Sequence, residues 1–511
     1  MISLVKSIAV NGLTSNIIEV EVDINNGLPS FTIVGLPDQG IQESRERIRS
    51  ALKSSGDKLP AARITVNLAP ADIRKAGPIF DLAIAVGILV NSGTIKTDEL
   101  IKDSIFLGEL SLDGKLRSVG GILPATIGAS EKGFKRIFLP RANSREASFI
   151  PGIDVISVDN LSDLIEILNK EKKLEIAQKM DFSSLSKTKL DDKYDFRYII
   201  GQAHAKRAME IARAGGHNII MNGPPGSGKT LLAKTFATIL PEMTLDEAIE
   251  VSKIYSISGL LSDENPIITS RPFRSVHHTA SSISIIGGGT KARPGEISLA
   301  HKGVLFLDEI LEFPKNVLEV LRQPLEDHQI TVTRVNSSFV YPAKFILLGA
   351  MNPCPCGYLT DPDKECICNA REIKNYTSRL SGPLVDRIDI FIEVPKVKTE
   401  DFNTKNDYSG IENSASIKLR VEKAKLMQLA RFTGTKITSN SEMGTKDINK
   451  FCKLNQDSET LLKKAVTNMN LSARSYYRVL KLSRTIADLA NREEIIMQDI
   501  AEALSYRKTR D

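Results

Sequence analysis

The segment 223–230 has the residue types and the spacing that bind a triphosphate, because it fits the pattern G-x-x-x-x-G-K-[ST]. The loop comprises Gly223, Pro224, Pro225, Gly226, Ser227, Gly228, Lys229 and Thr230. Its glycines allow the backbone to curl around an anion, so that successive N–H groups point at phosphate oxygens. Lys229 is expected to reach the β- and γ-phosphates, and Thr230 to ligate Mg²⁺. The loop therefore predicts binding of a nucleoside triphosphate with magnesium.

Two carboxylates follow an apolar run in the segment Gly303-Val-Leu-Phe-Leu-Asp308-Glu309. A strand that ends in two acids can stand beside a phosphate-binding loop, where Asp308 would position the metal ion. Glu309 would then orient and polarise the attacking water. A solvated strand end is the alternative for such a motif taken alone. Together with the loop, the pair predicts hydrolysis of the bound nucleotide.

The strands and helices that must position these groups are visible in the same region. Apolar Asn218-Ile-Ile-Met221 precedes the phosphate loop as a strand, and the segment from Thr230 follows it as a helix. A further apolar strand, Phe345 to Met351, ends at Asn352. The amide of Asn352 is suited to hold a water or the γ-phosphate between the loop and the acidic pair.

Four of the five cysteines lie close together, and their spacing is that of a candidate metal site. They are Cys354, Cys356, Cys366 and Cys368. Four thiolates in one short loop suit a closed tetrahedral Zn²⁺ site, although C-x-C is less common than C-x₂-C. Iron–sulfur ligation lacks the usual spacings, and free thiols in a reducing compartment are a further alternative. The preferred interpretation is a structural zinc beside the nucleotide site.

Composition sets broad limits on the class of protein. A length of 511 residues predicts about three domains, and the net charge of +6, from 68 basic and 62 acidic residues, is compatible with nucleic acid. The start of the chain lacks the layout of a signal peptide, and no apolar run is long enough to span a bilayer. We therefore expect a soluble, cytoplasmic protein without a membrane partner.

Polar stretches at 181–195 and 396–416 divide the chain and predict three domains, 1–180, 190–395 and 415–511. The expected fold class is α/β multidomain. Patterns of apolar residues predict N-terminal strands at 17–24, 31–37 and 63–68, with helices at 43–54 and 80–90. They predict C-terminal helices at 458–469, 473–490 and 497–506. Alternation around a polar turn at 336–338 predicts a β-hairpin from Gln329 to Tyr341.

The central region resembles AAA+ ATPases, which have an αβα core and a helical lid. Asn352 matches their sensor 1, and Gly201-Gln202 with Ala205-Lys-Arg-Ala resembles the segment that flanks the adenine. Leu384-Val-Asp-Arg387-Ile-Asp resembles the arginine-finger segment of the MCM and Mg-chelatase clade, in which Arg387 enters the neighbouring subunit's site. Ser472-Ala-Arg474-Ser resembles sensor 2 on the lid.

Alternatives remain for these arginines. Arg387 and Arg474 are expected at the catalytic site, but each also fits a surface arginine in a local ion pair. Arg379 is a rival for the finger role.

Members of that clade carry an insertion and a hairpin before sensor 1, and in its helicases both project into the pore of a ring. The matching segments here hold Lys291, Arg293 and Arg334, which become candidates for gripping a phosphate backbone. Ordinary solvent-facing loops are the alternative.

The N-terminal region resembles the proteolytic domain of Lon, an α+β domain. Gly77-Pro78 before an apolar helix matches the segment of Lon's catalytic serine, and Gly108 to Gly121 matches the segment leading to its lysine. Ile79 and Leu123 occupy the two catalytic positions, and neither side chain can attack a carbonyl or take a proton. The resemblance thus implies a domain without proteolysis. The basic helix Arg45 to Lys53 is a candidate DNA contact or a solvated face.

The order of these parts resembles the YifB/ComM family of magnesium chelatase-like AAA+ ATPases over essentially the whole chain. Segments specific to it or its near relatives are Ala214-Gly-Gly-His-Asn, Arg322-Gln-Pro-Leu-Glu-Asp and Met351-Asn-Pro-Cys-Pro-Cys-Gly. The resemblance implies ATP and Mg²⁺ as cofactors, a homo-oligomeric, hexameric ring, and a helicase that drives branch migration on single-stranded or branched DNA during recombination or natural transformation. A metal-insertion motor, a protease-related factor and an AAA+ remodeller of another substrate remain alternatives.

Overall fold

The computed structural model describes residues 2–96, 99–182, 193–289, 292–334, 337–397, 411–469 and 471–507. The chain forms two compact units. The first consists of 1–187 and 244–269, and the second of 188–243 and 270–511. Large parts of both predicted linkers, 183–192 and 398–410, lie outside the described residues. The three-domain division made from the sequence stays a prediction.

A seven-stranded mixed sheet forms the centre of the first unit, in the order β3-β4-β2-β1-β5-β8-β9. The strands of this unit are β1 (Ser3–Asn11), β2 (Thr14–Asn25), β3 (Ser30–Val34), β4 (Arg63–Ala69), β5 (Ser104–Phe106), β6 (Glu109–Leu110), β7 (Leu116–Arg117), β8 (Arg136–Pro140) and β9 (Asp154–Val158). Its first helices are α1 (Gln39–Ser54), α2 (Asp81–Asn91), α3 (Glu99–Lys102), α4 (Ile122–Glu131), α5 (Arg141–Ala147) and α6 (Leu161–Leu168). The strands and helices predicted for this region are thereby confirmed, within a few residues at their ends.

Helix α2 is apolar on every side and is buried almost throughout, as expected of a helix in a core. Ile79, at its start, is 8% exposed, and Leu123 on α4 is fully buried. Both side chains therefore serve the hydrophobic core of this unit. They occupy the positions at which the Lon resemblance expects a serine and a lysine.

The first unit also contains a helix from the middle of the chain, α9 (Leu245–Ser258), which the sequence did not predict. Its Ser256 accepts hydrogen bonds from two N–H groups at the start of α4. The Gly121 N–H reaches the Ser256 carbonyl at 3.0 Å, and the Leu123 N–H reaches the Ser256 hydroxyl at 3.3 Å. The hydroxyl donates to the buried Glu146 carboxyl at 3.0 Å. Ser256 thus satisfies donors that the first turn of any helix leaves unpaired.

A five-stranded parallel sheet in the order β11-β14-β17-β10-β18 forms the centre of the second unit. Its strands are β10 (Ile219–Asn222), β11 (Phe273–Val276), β14 (Val304–Leu307), β17 (Ile346–Met351) and β18 (Ile390–Glu393), and β12 (Gly287–Gly288), β13 (Arg293–Pro294), β15 (Gln329–Arg334) and β16 (Ser337–Pro342) lie outside it. Both predicted strands next to the acidic pair and Asn352 are confirmed. Strands β15 and β16 pair antiparallel, which confirms the predicted hairpin.

Helices complete the second unit. Those before the C-terminal region are α7 (Ala203–Gly215), α8 (Lys229–Phe236), α10 (Ser282–Ile286), α11 (Glu296–Leu299), α12 (Lys315–Val320), α13 (Arg322–Asp327), α14 (Ala370–Thr377) and α15 (Gly382–Val385). Those of the C-terminal region are α16 (Ser414–Arg431), α17 (Thr445–Phe451), α18 (Gln456–Asn468), α19 (Ala473–Leu489) and α20 (Met497–Ser505). The C-terminal helices share one hydrophobic core with the sheet, and the three helices predicted there are confirmed. No described helix is long and apolar enough to cross a membrane.

Candidate nucleotide site

The phosphate loop connects the end of β10 to the start of α8, the geometry that aims a helix N-terminus and loop N–H groups at an anion. Gly226 and Gly228 have φ angles of 78° and 88°, which favour glycine. At Gly223 a Cβ atom would lie 2.2 Å from the Val394 carbonyl oxygen, so only glycine fits. The Ser227 hydroxyl is buried without a hydrogen-bond partner in the described part of the chain. An anion seated in the loop would supply one.

Lys229 lies folded against the loop. Its Nζ donates to the carbonyls of Gly223 and Pro224 at 2.6 and 2.9 Å, and to Asn352 Oδ1 at 3.3 Å. Burial lowers the pKa of Lys229 to about 8, while Asp308 and Glu309 oppose the shift. The pKa of the amine would therefore rise when an anionic ligand binds, because added negative charge favours its protonated form. The predicted lysine and sensor-1 amide are brought together.

Thr230 and Asp308 meet at the other end of the loop. The Thr230 hydroxyl donates to Asp308 Oδ2 at 2.9 Å. The two oxygens are thus close enough that both could be ligands of one Mg²⁺. The parallel strands β10, β17 and β14 are neighbours, and their carboxyl ends lie along one edge of the sheet. That topology brings the residues after each strand to one place, as in other open α/β sheets.

Glu309 adopts a left-handed backbone conformation with a φ of 51°, which is uncommon for a residue with a Cβ. Its half-exposed carboxylate lies 3.2 Å from Nδ1 of His278, a close contact that is not aligned as a hydrogen bond. His278 follows strand β11, and its ring lies against that of His277 at a centroid distance of 4.2 Å. Sequence reasoning did not assign His278 a role. The signal was two adjacent histidines directly after a short strand pattern.

Arg387 and Arg474 do not join this site within one chain. Both line a separate cavity of about 390 Å³. None of its described lining residues belongs to the phosphate loop, the acidic pair or Asn352. Arg387 donates to the Pro383 carbonyl at 2.8 Å and pairs with Glu326. Arg474 is exposed and makes no ion pair with any described residue. The two arginines predicted to be catalytic are thus near each other and away from the nucleotide loop of their own chain.

The rival arginine, Arg379, is engaged elsewhere. It donates to the Leu311 carbonyl at 2.8 Å and to Glu312 at 3.1 Å. These bonds hold it against the turn that follows Glu309.

A buried network that the sequence did not predict holds the Arg387 segment against β10. Asn218 donates to the Arg387 carbonyl at 3.1 Å and accepts from the Leu347 N–H at 2.9 Å. His217, fully buried, lies 3.4 Å from Asp389 and 2.8 Å from the Thr485 hydroxyl on α19. The signal was the segment Ala214-Gly-Gly-His-Asn, which sequence reasoning used only as a family mark.

Asp389 is the charged centre of that network. Arg478 on α19 donates to its carboxylate at 2.6 Å. Desolvation of this buried carboxyl raises its pKa, but Arg478 and His217 outweigh it and hold the pKa below its ordinary value. Asp389 is therefore ionised and ties helix α19 to the edge of the sheet.

The two segments predicted to grip a polymer contact each other. Tyr341 at the base of the hairpin donates through its hydroxyl to the Ala292 carbonyl at 2.9 Å, and β12 lies against β15. Arg293 is exposed. Lys291 and the side chain of Arg334 lie outside the described residues.

The four clustered cysteines converge. Their sulfur atoms all lie within 4.8 Å of one another. Cys354 is fully buried and the other three are half-buried. The predicted cluster is thus brought together in space.

Three family models match consecutive parts of the chain. They are described as "Magnesium chelatase, subunit ChlI" (195–402), "Subunit ChlI of Mg-chelatase" (20–143) and "Magnesium chelatase, subunit ChlI C-terminal" (411–507). Competence protein ComM of Haemophilus influenzae is 42% identical over 99% of this chain and 97% of its own length. The uncharacterized protein YifB of Escherichia coli is 38% identical over 99% and 97%. Lon protease 2 of Bacillus subtilis is 26% identical over 32% of each chain.

Proposed function

The chain belongs to the ComM and YifB family of magnesium chelatase-like proteins, and we propose that it is an ATP-hydrolysing ring motor that moves on DNA. Family membership implies an AAA+ ATPase with ATP and Mg²⁺ as cofactors. The finer parts are proposals: a cytoplasmic, homo-hexameric helicase for branch migration, an N-terminal Lon-like domain without proteolysis, a helical lid, and Zn²⁺ at the four cysteines.

One observation supports the proposal that several chains assemble into a ring. Lys229, Asp308 and Asn352 meet at one edge of the sheet, whereas Arg387 and Arg474 line a cavity that contains none of them. An ATPase needs a cation at the γ-phosphate when negative charge develops there. A neighbouring subunit would supply it by placing its arginine cavity over this site. Assembly then becomes a condition of turnover.

Each residue at the site has a proposed part in hydrolysis. Thr230 and Asp308 would hold Mg²⁺, which supplies charge neutralisation on the phosphates. Glu309 would take a proton from the attacking water, and Asn352 would orient that water against Lys229. His278 contacts the Glu309 carboxylate, so the base must leave this partner to act.

The contact between the insert and the hairpin supports DNA as the polymer that the motor moves. Tyr341 joins the hairpin to the segment carrying Arg293, so the two elements would move together. An exposed arginine beside a glycine-rich turn suits a phosphate backbone, and the relative from H. influenzae is named a competence protein. A motor that uses these elements would pull a strand through the ring.

The test is the rate of Mg²⁺-dependent ATP hydrolysis without DNA and with single strands, forked DNA and a four-way junction. We expect stimulation by branched DNA, which weakens as salt rises because phosphate contacts release counterions. An equal rate in all four conditions would contradict the DNA motor.

A metal-insertion motor is the second candidate, because the family models that match the chain describe a magnesium chelatase subunit. It predicts a rate that ignores DNA and responds instead to a porphyrin-bound partner. The same assay separates the two functions.

A further inference from the structure

We propose that Cys354, Cys356, Cys366 and Cys368 bind one Zn²⁺, and that this zinc braces the phosphate loop, so that ATP binding depends on the metal. The part of this inference that concerns ATP rests on the proposed function. Its metal site stands on the cysteine geometry alone.

The spacing of the sulfurs fits a tetrahedral ion. Zinc binds thiolates at about 2.3 Å, so the edges of a tetrahedral S₄ site are about 3.8 Å long. The Sγ atom of Cys354 lies 3.4 Å from that of Cys356 and 3.6 Å from that of Cys366, and Cys356 lies 3.6 Å from Cys366. The fourth sulfur, of Cys368, accepts a hydrogen bond from the Cys356 N–H at 3.4 Å.

Other states of these thiols fit less well. A disulfide requires sulfurs about 2.05 Å apart, and none of the four is bonded. An iron–sulfur cluster needs room for several iron and sulfide atoms between the thiolates, which sulfurs within 4.8 Å of one another do not leave. A single divalent ion fills the space and offsets the charge of four thiolates.

The cysteine loop packs directly on the phosphate loop. Gly357, one residue after Cys356, has a φ of 83° and is buried. A Cβ atom there would lie 2.7 Å from Cδ and 2.8 Å from Cγ of Pro225. The Gly357 N–H donates to the Cys354 carbonyl at 3.0 Å, which fixes the turn that makes this approach.

Asn352 extends the same contact toward the nucleotide. It precedes the first cysteine by two residues, and its amide oxygen accepts from Nζ of Lys229. A metal that fixes the four cysteines would therefore fix both the Asn352 amide and the wall of the phosphate loop. Without the metal, a loop of this length has no other covalent restraint.

The first measurement is metal content of the full-length protein, purified without chelators, by inductively coupled plasma mass spectrometry. We expect one zinc per chain in the wild type and in Cys452→Ser, which alters the isolated, buried fifth cysteine. The double variant Cys366→Ser/Cys368→Ser should hold less than about 0.2 zinc, because two ligands are lost. Wild type without zinc, or with iron in its place, would overturn the site.

The second measurement is binding of a fluorescent ATP analogue, which needs no hydrolysis and no DNA. The zinc-poor double variant should bind it about tenfold or more weakly than Cys452→Ser, and equal affinity would overturn the dependence on the metal. Gly357→Ala keeps every cysteine but drives a methyl group into Pro225, so we expect one zinc and binding weakened about tenfold or more. Gly434→Ala is the matched control, since Gly434 has a φ of 82° and nothing within 4 Å. Equal affinity in the two variants would overturn the brace and leave the zinc site standing.

A failure of the proposed function looks different. If the wild type holds one zinc but binds no ATP analogue, the proposed ATP-driven motor is contradicted and the zinc site is still supported.

Discussion

At the scale of single residues, the groups proposed to act in hydrolysis contact other partners in this structure. Nζ of Lys229 donates hydrogen bonds to two carbonyls of its own loop, and the Glu309 carboxylate lies against His278. Under the proposed function, each would change partner when nucleotide binds. Glu309, the residue proposed to take the proton, is then in contact with His278 before nucleotide binds.

We expect Glu309→Gln to bind ATP with wild-type affinity and to lose turnover by about a hundredfold or more, because an amide cannot take a proton from water. The measurement is steady-state phosphate release beside binding of a fluorescent ATP analogue. Glu312→Gln is a control on the same turn, where the side chain pairs with Arg379. Hydrolysis at the wild-type rate by Glu309→Gln would exclude Glu309 as the base.

Glu146 gives a second residue-scale prediction. Burial raises the pKa of this carboxyl from 4.5 to about 7, although Asn143 and Ser256 donate hydrogen bonds that oppose the shift. A pKa higher in the folded chain makes its contribution to stability complete below about pH 4.5 and lost as the pH rises through about 7. The full shift corresponds to about 3 kcal/mol.

The measurement compares the free energy of unfolding of wild type and Glu146→Gln between pH 5 and pH 8. The wild type should lose stability relative to the variant as the pH rises. A difference that stays constant across this range would mean that the carboxyl does not titrate there.

At the scale of elements, close approaches of the backbone explain features that sequence motifs do not. Gly215, at the end of α7, lies so close to α19 that a Cβ atom would be 2.4 Å from the Thr485 hydroxyl and 2.3 Å from Nε2 of His217. This packing lets His217 and Asn218 hold both helix α19 and the Arg387 segment. The residues that precede the strand leading into the phosphate loop thus also position the Arg387 segment.

We expect Gly215→Ala to lower the free energy of unfolding by about 1–3 kcal/mol, because the methyl group overpacks a buried network. ATP hydrolysis should fall more than ATP binding, since the Arg387 segment loses its support. Gly382→Ala serves as the control, with nothing within 4 Å of the added methyl group. Chemical denaturation measures the first effect. Equal stability of the two variants would contradict the close packing.

The strong local patterns of this chain were predictable from sequence, and the contacts between distant segments were not. A local pattern of about a dozen residues or fewer predicts each of three features: the phosphate loop, the acidic pair and the β15–β16 hairpin. The contact of His278 with Glu309 and the docking of Ser256 on α4 depend on how the sheets bring distant segments together. The pattern within one segment does not identify the partner of either residue.

At the scale of the whole molecule, Arg387 lines a cavity that excludes the phosphate loop of its own chain, so the proposed ATPase site requires a second chain. The lining of the cavity beside Arg387 also includes Arg474 and Arg478. The proposed function requires each chain to contribute two half-sites, one for its own nucleotide and one for the next subunit.

We expect Arg387→Ala to lower ATP hydrolysis about a hundredfold or more without loss of ATP binding, because the cation is missing at the transition state. In rings mixed with wild-type subunits, the variant should slow its neighbours more than its share predicts. Titration of variant into wild type at constant total protein measures this. A rate that falls only in proportion to the variant fraction would place the finger elsewhere, and Arg379→Ala is the variant to compare.

Helix α9 has a consequence for dissecting the protein. The polypeptide leaves the second unit after Met243, contributes α9 to the first, and returns at Ser270. A protease cut between 183 and 192 would yield two fragments, of which the larger still carries part of the first unit's fold. We expect such fragments to copurify, and a chain that begins at residue 188 to expose the apolar side of α9 and to aggregate. Genetic removal of the N-terminal segment is therefore not a clean deletion of one domain.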